Sequence, residues 1–249
     1  MLAVRNFASD AELLAAFVPM VQQQLQGAID ARGHAYLVVS GGRTPIPLFE
    51  QLAQLPLDWS RVTVCLADDR RVPLDHDASN ERLVLEHLKT AKGQALNEKT
   101  AKGQALKGGA LKCLPLSLIS LGGSLSEVQQ RLAQLPTFDV VILGMGDDGH
   151  TASLFPCSAE LQDGLTTADD ALLVQPTTAP HQRITLSKQR LLNSRHIYIH
   201  VSGASKAAVL QQALLQGPDT AMPIRAFLRQ QQVPVTVMLA APRAETNEV

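Results

Sequence analysis

The sequence predicts an α/β protein: one catalytic-sized domain over residues 1–241, built as a single doubly wound, mainly parallel sheet with helices on both faces. Three observations carry this. Short apolar, β-branched runs alternate with stretches of helical period, several of those runs end in glycine-rich or charged turns, and no linker divides the 249 residues. In such a sheet the turns after the strands emerge at one C-terminal edge, so motifs distant in sequence converge there.

Ser9 and Glu12 have the form of a capping box, and Leu13, Leu14, Phe17, Val18, Val21, Leu25 and Ile29 recur at helical spacing, predicting a first helix over about 10–31. Pro19 lies inside it, so either the helix kinks or two shorter helices meet. Ala35–Val39 reads as a strand ending in Ser40-Gly41-Gly42-Arg43-Thr44-Pro45, followed by a helical stretch, Ile46–Leu55. A turn of this kind presents backbone N–H groups at a helix N-terminus, where orphan donors and the helix dipole favour an anion such as phosphate. Side-chain donors on Ser40, Arg43 and Thr44 favour that reading over a plain connecting turn.

Val62–Ala67 repeats the pattern and ends in Asp68-Asp69-Arg70-Arg71-Val72-Pro73, four charges where a parallel sheet binds its ligand. A solvated loop with internal ion pairs accounts for these charges equally well. Ser79-Asn80-Glu81 opens a helix to about Leu88. Thr90–Leu96 then recurs as Thr100–Leu106, a tandem ten-residue duplication. Two copies are too few for a repeat architecture, so residues 89–112 are expected to be an expanded loop that tolerates loss of one copy. Ser124 and Glu127 suggest a second capping box, for a helix to Leu135 that leads into a Phe138–Leu143 strand. Thr151–Phe155 is expected to start a helix. Leu172–Val174, Arg183–Leu186 and Ile197–Val201 read as strands, Gly203–Lys206 opens a helix through Leu215, Val233–Leu239 is a last strand, and 242–249 is a polar, flexible tail.

With 45% apolar and 18% charged residues the chain has material for a sizeable core and is not disordered in bulk. Lys plus Arg (22) nearly balances Asp plus Glu (23), so no net field draws nucleic acid or an anionic membrane, and any anion site is local. Cys65, Cys113 and Cys157 are odd in number, widely spaced and without metal-ligand spacing, which argues against a disulfide framework or a metal site. No run approaches 18 apolar residues and the N-terminus lacks a signal pattern; a cytoplasmic protein is expected, a monomer or at most a weak homo-oligomer.

The chemistry concentrates at 138–156, where the apolar run Val140–Leu143 opens into Gly144-Met145-Gly146-Asp147-Asp148-Gly149-His150. The glycines match G-x-G-x-x-G literally, but the match is isolated. No acidic residue ends a following strand, Asp163 lying at the right distance in a polar stretch, and Asp147 and Asp148 would repel a pyrophosphate, so no nucleotide cofactor is expected. His150 could be a core histidine at a helix start. Its place after a glycine loop at a strand's end, with two carboxylates within three residues, suits a general base near neutral pH instead. No G-x-S-x-G elbow and no catalytic cysteine context is present, which leaves water as the nucleophile.

These residues resemble the 6-phosphogluconolactonase family, within the wider group that includes glucosamine-6-phosphate deaminase. Ser40–Pro45 matches SGGxTP, Asp68–Pro73 resembles DERxVP, Ser79-Asn80 suits the SN that follows, and Gly144–Pro156 matches GMGxDGHTASLFP. Arg183-Ile184-Thr185 and Gly203–Lys206 match the later R-x-T and G-x-x-K elements. The resemblance covers nearly the whole chain. It implies a Rossmann-like fold of the sugar-phosphate isomerase type and hydrolysis of 6-phospho-D-glucono-1,5-lactone to 6-phosphogluconate in the oxidative pentose phosphate pathway, without metal or cofactor. The small-molecule sugar-phosphate lactone is then the only partner expected. Carried over by position, it implies catalytic roles for His150, as base, and Asp148, which orients it. Ser40, Gly41, Gly42, Thr44, Asp68, Arg70, Gly146, Arg183 and Lys206 would bind substrate, with the 40–44 turn, Arg70, Arg183 and Lys206 on the phosphate. Asp69 stands where the family usually has Glu, keeping the charge and shortening its reach, and the 89–112 duplication has no place on the family's pattern. The related deaminases follow the histidine with I-[GA]-F-N-E and need that glutamate; here the position is Phe155.

Overall fold

The computed structural model of the chain describes residues 1–88, 112–114 and 123–241. In order, the described elements are β1 (Leu2–Phe7), α1 (Asp10–Arg32), β2 (Ala35–Val39), α2 (Ile46–Ala53), β3 (Val62–Leu66), β4 (Asp68–Arg70), α3 (Asn80–His87), β5 (Lys112–Leu114) and α4 (Leu125–Leu132). Then follow β6 (Val140–Leu143), α5 (Leu161–Thr166), β7 (Ala171–Val174), β8 (Arg183–Leu186), α6 (Lys188–Leu192), β9 (Ile197–Ser202), α7 (Ala204–Leu214), α8 (Arg225–Leu228) and β10 (Val235–Ala240).

Seven strands form a parallel sheet in the order β1-β10-β9-β6-β2-β3-β5. From β2 the chain builds outward through β3 to β5, then returns and builds the other way through β6, β9 and β10. The winding therefore reverses between β2 and β6, the place where open α/β sheets bind ligands. Both of these strands are short apolar runs, β6 buried throughout and β2 at every position except Tyr36, the pattern of a sheet covered on both faces. Against it α1 packs Leu13, Phe17, Val21 and Leu25, all fully buried, and Phe17 meets Tyr198 of β9 at 4.8 Å between ring centroids.

The capping signals hold: Ser9 Oγ accepts from the Glu12 N–H at 3.2 Å, and Ser124 with Glu127 forms a complete capping box. Of the two readings of Pro19, the structure has one continuous α1. Three differences from the sequence expectation matter. First, β1 exists although its residues are mostly exposed and lack apolar alternation; it is an edge strand whose partner is β10, at the other end of the chain. Second, Asp68–Arg70, expected as a turn, is β4. It joins β8 and β7 in a separate three-stranded antiparallel sheet, so the strands expected at 172–174 and 183–186 lie outside the parallel sheet. Three charged residues carry no strand signal of their own; pairing with β8 makes them one.

Third, Thr151–Phe155 is not a helix start. The Thr151 hydroxyl donates to the Gly144 carbonyl at 2.8 Å, Leu154 N–H bonds back to Thr151, and Ala152 takes a left-handed φ of 49°, so the segment turns on itself and α5 begins only at Leu161. Of the duplicated 89–112 segment all but Lys112, the first residue of β5, lies outside the described residues, as does the 242–249 tail. Among the described residues no helix is long and apolar enough to cross a membrane.

Candidate active site

A cavity of about 390 Å³ opens over the reversal between β2 and β6. Ser40, Gly41, Gly42 and Thr44 line it from the turn after β2, and Gly146 and His150 from the loop after β6. Asp68 and Arg70 reach it from β4, Arg183 from β8 and Lys206 from the first turn of α7. Of the residues expected at the site, two are not part of the wall: Asp148 stands behind His150, and Arg43 of the 40–44 turn is exposed and does not line the cavity.

The loop after β6 is a compact, self-bonded turn: Gly146 N–H donates to the His150 carbonyl at 2.8 Å and Gly149 N–H to the Gly146 carbonyl at 3.1 Å. That brings Asp148 Oδ1 to 2.5 Å from His150 Nδ1 and to 3.1 Å from the His150 N–H. A β-carbon at Gly146 would overlap the His150 ring and crowd the Asp148 carboxylate. The glycine is thus the clearance for the imidazole itself. Partial burial opposes ionisation of Asp148, but the hydrogen bond and charge of His150 outweigh it and hold the carboxyl below its usual range. An ionised carboxylate at Nδ1 fixes the tautomer that leaves Nε2 with its lone pair, the state a general base requires.

The opposite wall is cationic. In the register of the small sheet Arg70 stands directly opposite Arg183, an arrangement of like charges that destabilises an antiparallel pair when nothing lies between them. Among the described residues both are held without full satisfaction of their donors: the Nε of each is buried with no hydrogen-bond partner, while Arg70 Nη1 is tied to the Ala78 carbonyl at 2.7 Å. Burial, and after it the charge of Arg70, lowers the Arg183 pKa, with Asp68 and Asp69 opposing. Lys206 Nζ rests 2.9 Å from the exposed Asp147, which leaves it exchangeable to another anion. Ser40 completes this picture with a buried hydroxyl that has no hydrogen-bond partner among the described residues.

The two walls are stitched together by Ser153, which donates its hydroxyl to Asp68 Oδ2 at 2.6 Å while its N–H bonds Thr185 Oγ1 of β8 at 3.2 Å. Asp69 does not reach the cavity. Its carboxylate accepts the N–H groups of Arg70, Asn80 and Glu81 at 2.7, 2.7 and 3.2 Å, anchoring β4 to the start of α3, and burial pushes its pKa up to about 6 against those three bonds. The short side chain suits that task.

Among the lining residues that sequence reasoning did not single out for the site, three bear on its chemistry. Asn80, visible only as part of an SN pair and a helix start, presses its carboxamide where a β-carbon of Gly41 would stand and donates to the Asp68 carbonyl at 2.9 Å. Phe155, visible within the long motif, stacks on His150 with centroids 4.1 Å apart. His200 sits on β9 with Nδ1 unpartnered among the described residues, its pKa pushed down to about 4 by burial despite nearby Asp10. Its place on β9, near the C-terminal end, was the available signal.

A family model described as glucosamine-6-phosphate isomerases/6-phosphogluconolactonase matches residues 8–237. The 6-phosphogluconolactonase of Pseudomonas putida is 41% identical over 227 residues, covering 88% of this chain and 87% of that protein. Among solved structures, a 6-phosphogluconolactonase from Shewanella baltica superposes with a TM-score of 0.83 at 44% identity, over 97% of this chain and 98% of that one. A putative 6-phosphogluconolactonase from Neisseria gonorrhoeae gives 0.81 at 34% identity, over 96% and 100%. A monomeric glucosamine-6-phosphate deaminase, at 17% identity and a TM-score of 0.71, shares the fold alone. On the match to its model over nearly the whole sequence, the chain belongs to the glucosamine-6-phosphate isomerase/6-phosphogluconolactonase family.

Proposed function

We propose that the protein hydrolyses 6-phospho-D-glucono-1,5-lactone to 6-phosphogluconate, with His150 as general base and no metal. The observation that carries this reading is the division of one cavity into an imidazole backed by a carboxylate and, across from it, two opposed arginines with unsatisfied buried donors. A dianionic phosphate relieves the Arg70–Arg183 repulsion and takes up their free N–H groups, with Lys206 and the 40–44 turn adding a point charge and backbone donors. The relatives named 6-phosphogluconolactonase support the choice of sugar acid. Phe155 stands where the related deaminases need a carboxylate, which argues against amino-sugar chemistry.

In the reaction, water attacks C1 of the lactone as His150 Nε2 takes its proton, while Asp148 stabilises the imidazolium through Nδ1. The tetrahedral oxyanion collapses, the bond from C1 to the ring oxygen breaks, and the imidazolium returns the proton so that the ring oxygen leaves as the C5 hydroxyl. Phosphate held at the far wall supplies binding energy that orients the lactone against the base. Among the described residues no three His, Cys, Asp or Glu side chains gather as a metal-binding set, and treatment with a chelator is expected to leave the rate unchanged. A phosphorylated substrate that does not cross a bilayer unaided supports a cytoplasmic location. The test is proton release from freshly generated 6-phosphogluconolactone, corrected for spontaneous hydrolysis. Release no faster than that background would overturn the assignment.

A further inference from the structure

The base and the phosphate wall come from different sheets, yet one side chain touches both. Phe155 is buried, lines the cavity, stacks on the His150 ring at 4.1 Å and 31°, and carries the Arg183 guanidinium 5.8 Å from its centroid. The folded-back turn that replaces the expected helix is what returns it to His150, through the Thr151 to Gly144 bond and the left-handed Ala152. The ring of His150 is hydrogen-bonded at Nδ1 to Asp148, and among the described residues Arg183 Nε has no hydrogen-bond partner. An aromatic face steadies a guanidinium that lacks hydrogen bonds and packs, tilted, against an imidazole, and a ring has few rotamers through which to yield.

We infer that Phe155 is a positioning residue that couples the two ends of the site, fixing the span between the guanidinium that takes the phosphate and the imidazole that activates water. The inference rests on the proposed lactonase reading for its substrate. The consequence is specific. With Phe155 present, phosphate on the substrate raises kcat as well as lowering KM, because binding at the remote group is spent on alignment at C1. In Phe155→Leu, which keeps the apolar volume and loses the ring, phosphate still binds but no longer aligns.

The experiment compares kcat and KM for the 6-phosphorylated lactone and for unphosphorylated glucono-1,5-lactone in wild type, Phe155→Leu and Phe155→Tyr, with thermal melts to confirm folding. The kcat ratio between the two lactones is expected to fall about tenfold or more in Phe155→Leu, since small misplacements cost on that scale, and to be restored in Phe155→Tyr. An unchanged ratio in folded Phe155→Leu, or an equal fall in Phe155→Tyr, would overturn the inference; should the leucine variant not fold, Phe155→Met takes its place. A wild type inactive on the lactone would defeat the lactonase reading instead. The coupling is then read without turnover, from His150 ring resonances during titration with inorganic phosphate. A shift in wild type that shrinks in the Phe155 variant supports the coupling, and equal shifts exclude it.

Discussion

The two walls of the cavity are built in opposite ways. The wall that carries His150 is built locally: Asp148 lies two residues from its partner, Gly146 gives the ring its space, and the bonds that shape the turn, Gly146 to His150, Gly149 to Gly146 and Thr151 to Gly144, run within residues 144–151. It is also partly open, with the His150 side chain 29% and that of Asp148 42% exposed. The arginine wall is assembled from two short strands far apart in sequence, and Arg183 is only 5% exposed. The difference follows from the work of each. A general base must trade protons with water, so it stays near solvent. An anion clamp gains strength as water is excluded, and its cost, two like charges held opposite each other with part of their donors unsatisfied, is recovered only when the anion arrives.

Four changes test this contrast. His150→Ala removes the base and is expected to lower kcat about 10²- to 10⁴-fold while phosphate-ligand affinity stays close to that of wild type. Near-normal turnover would end the general-base role. Asp148→Asn keeps the shape but lets Nδ1 accept instead of donate, displacing the tautomer. A kcat loss of roughly 10- to 100-fold is expected, smaller than that of His150→Ala because the base remains, and a loss carried by KM alone would contradict it.

Arg183→Gln should act on the other wall, raising KM on the order of 10- to 100-fold, the scale of a lost charge-assisted bond, with a smaller change in kcat. Because the free protein holds Arg183 opposite Arg70, the substitution is expected to leave the melting temperature of the unliganded protein unchanged or raise it, and a clear drop would show that the pair is stabilising without an anion. The smallest effect concerns His200, which lies on neither wall's working face. Its folded pKa of about 4 lies below the ordinary value of 6.5, so the unfolded chain binds the proton more readily in that interval. Its contribution is present above the ordinary value and lost as pH falls toward 4, at most about 3 kcal/mol. Melts of His200→Gln are expected to show a shallower acid loss than wild type between those limits. Parallel pH curves would refute the assignment.

The contrast also explains what was legible. The strand that opens into Gly144–His150, the turn after Val39 and the parallel sheet that brings them together were readable, because apolar runs, glycines and caps act over a few residues. The pairing of Asp148 with His150 was readable for the same reason. The helix expected at Thr151–Phe155 was not borne out: helical propensity says nothing of a threonine hydroxyl reaching back to Gly144. Nor could β1 be read, since an exposed edge strand has no apolar alternation and exists through its partner at the far end of the chain.

By itself, then, the sequence determined the alternation of strands and helices, the position of the reactive loops at one edge, and the identity of the groups those loops carry. Each of these is written in contacts between near neighbours. The tertiary structure alone decided that Asp68–Arg70 is a strand, that it pairs with β8 so that Arg70 faces Arg183, that Asp69 serves the backbone of α3 and not the cavity, and that Phe155 folds back between base and clamp. These depend on register and on closure between segments far apart in the chain, whose energy is realised only when both partners are in place.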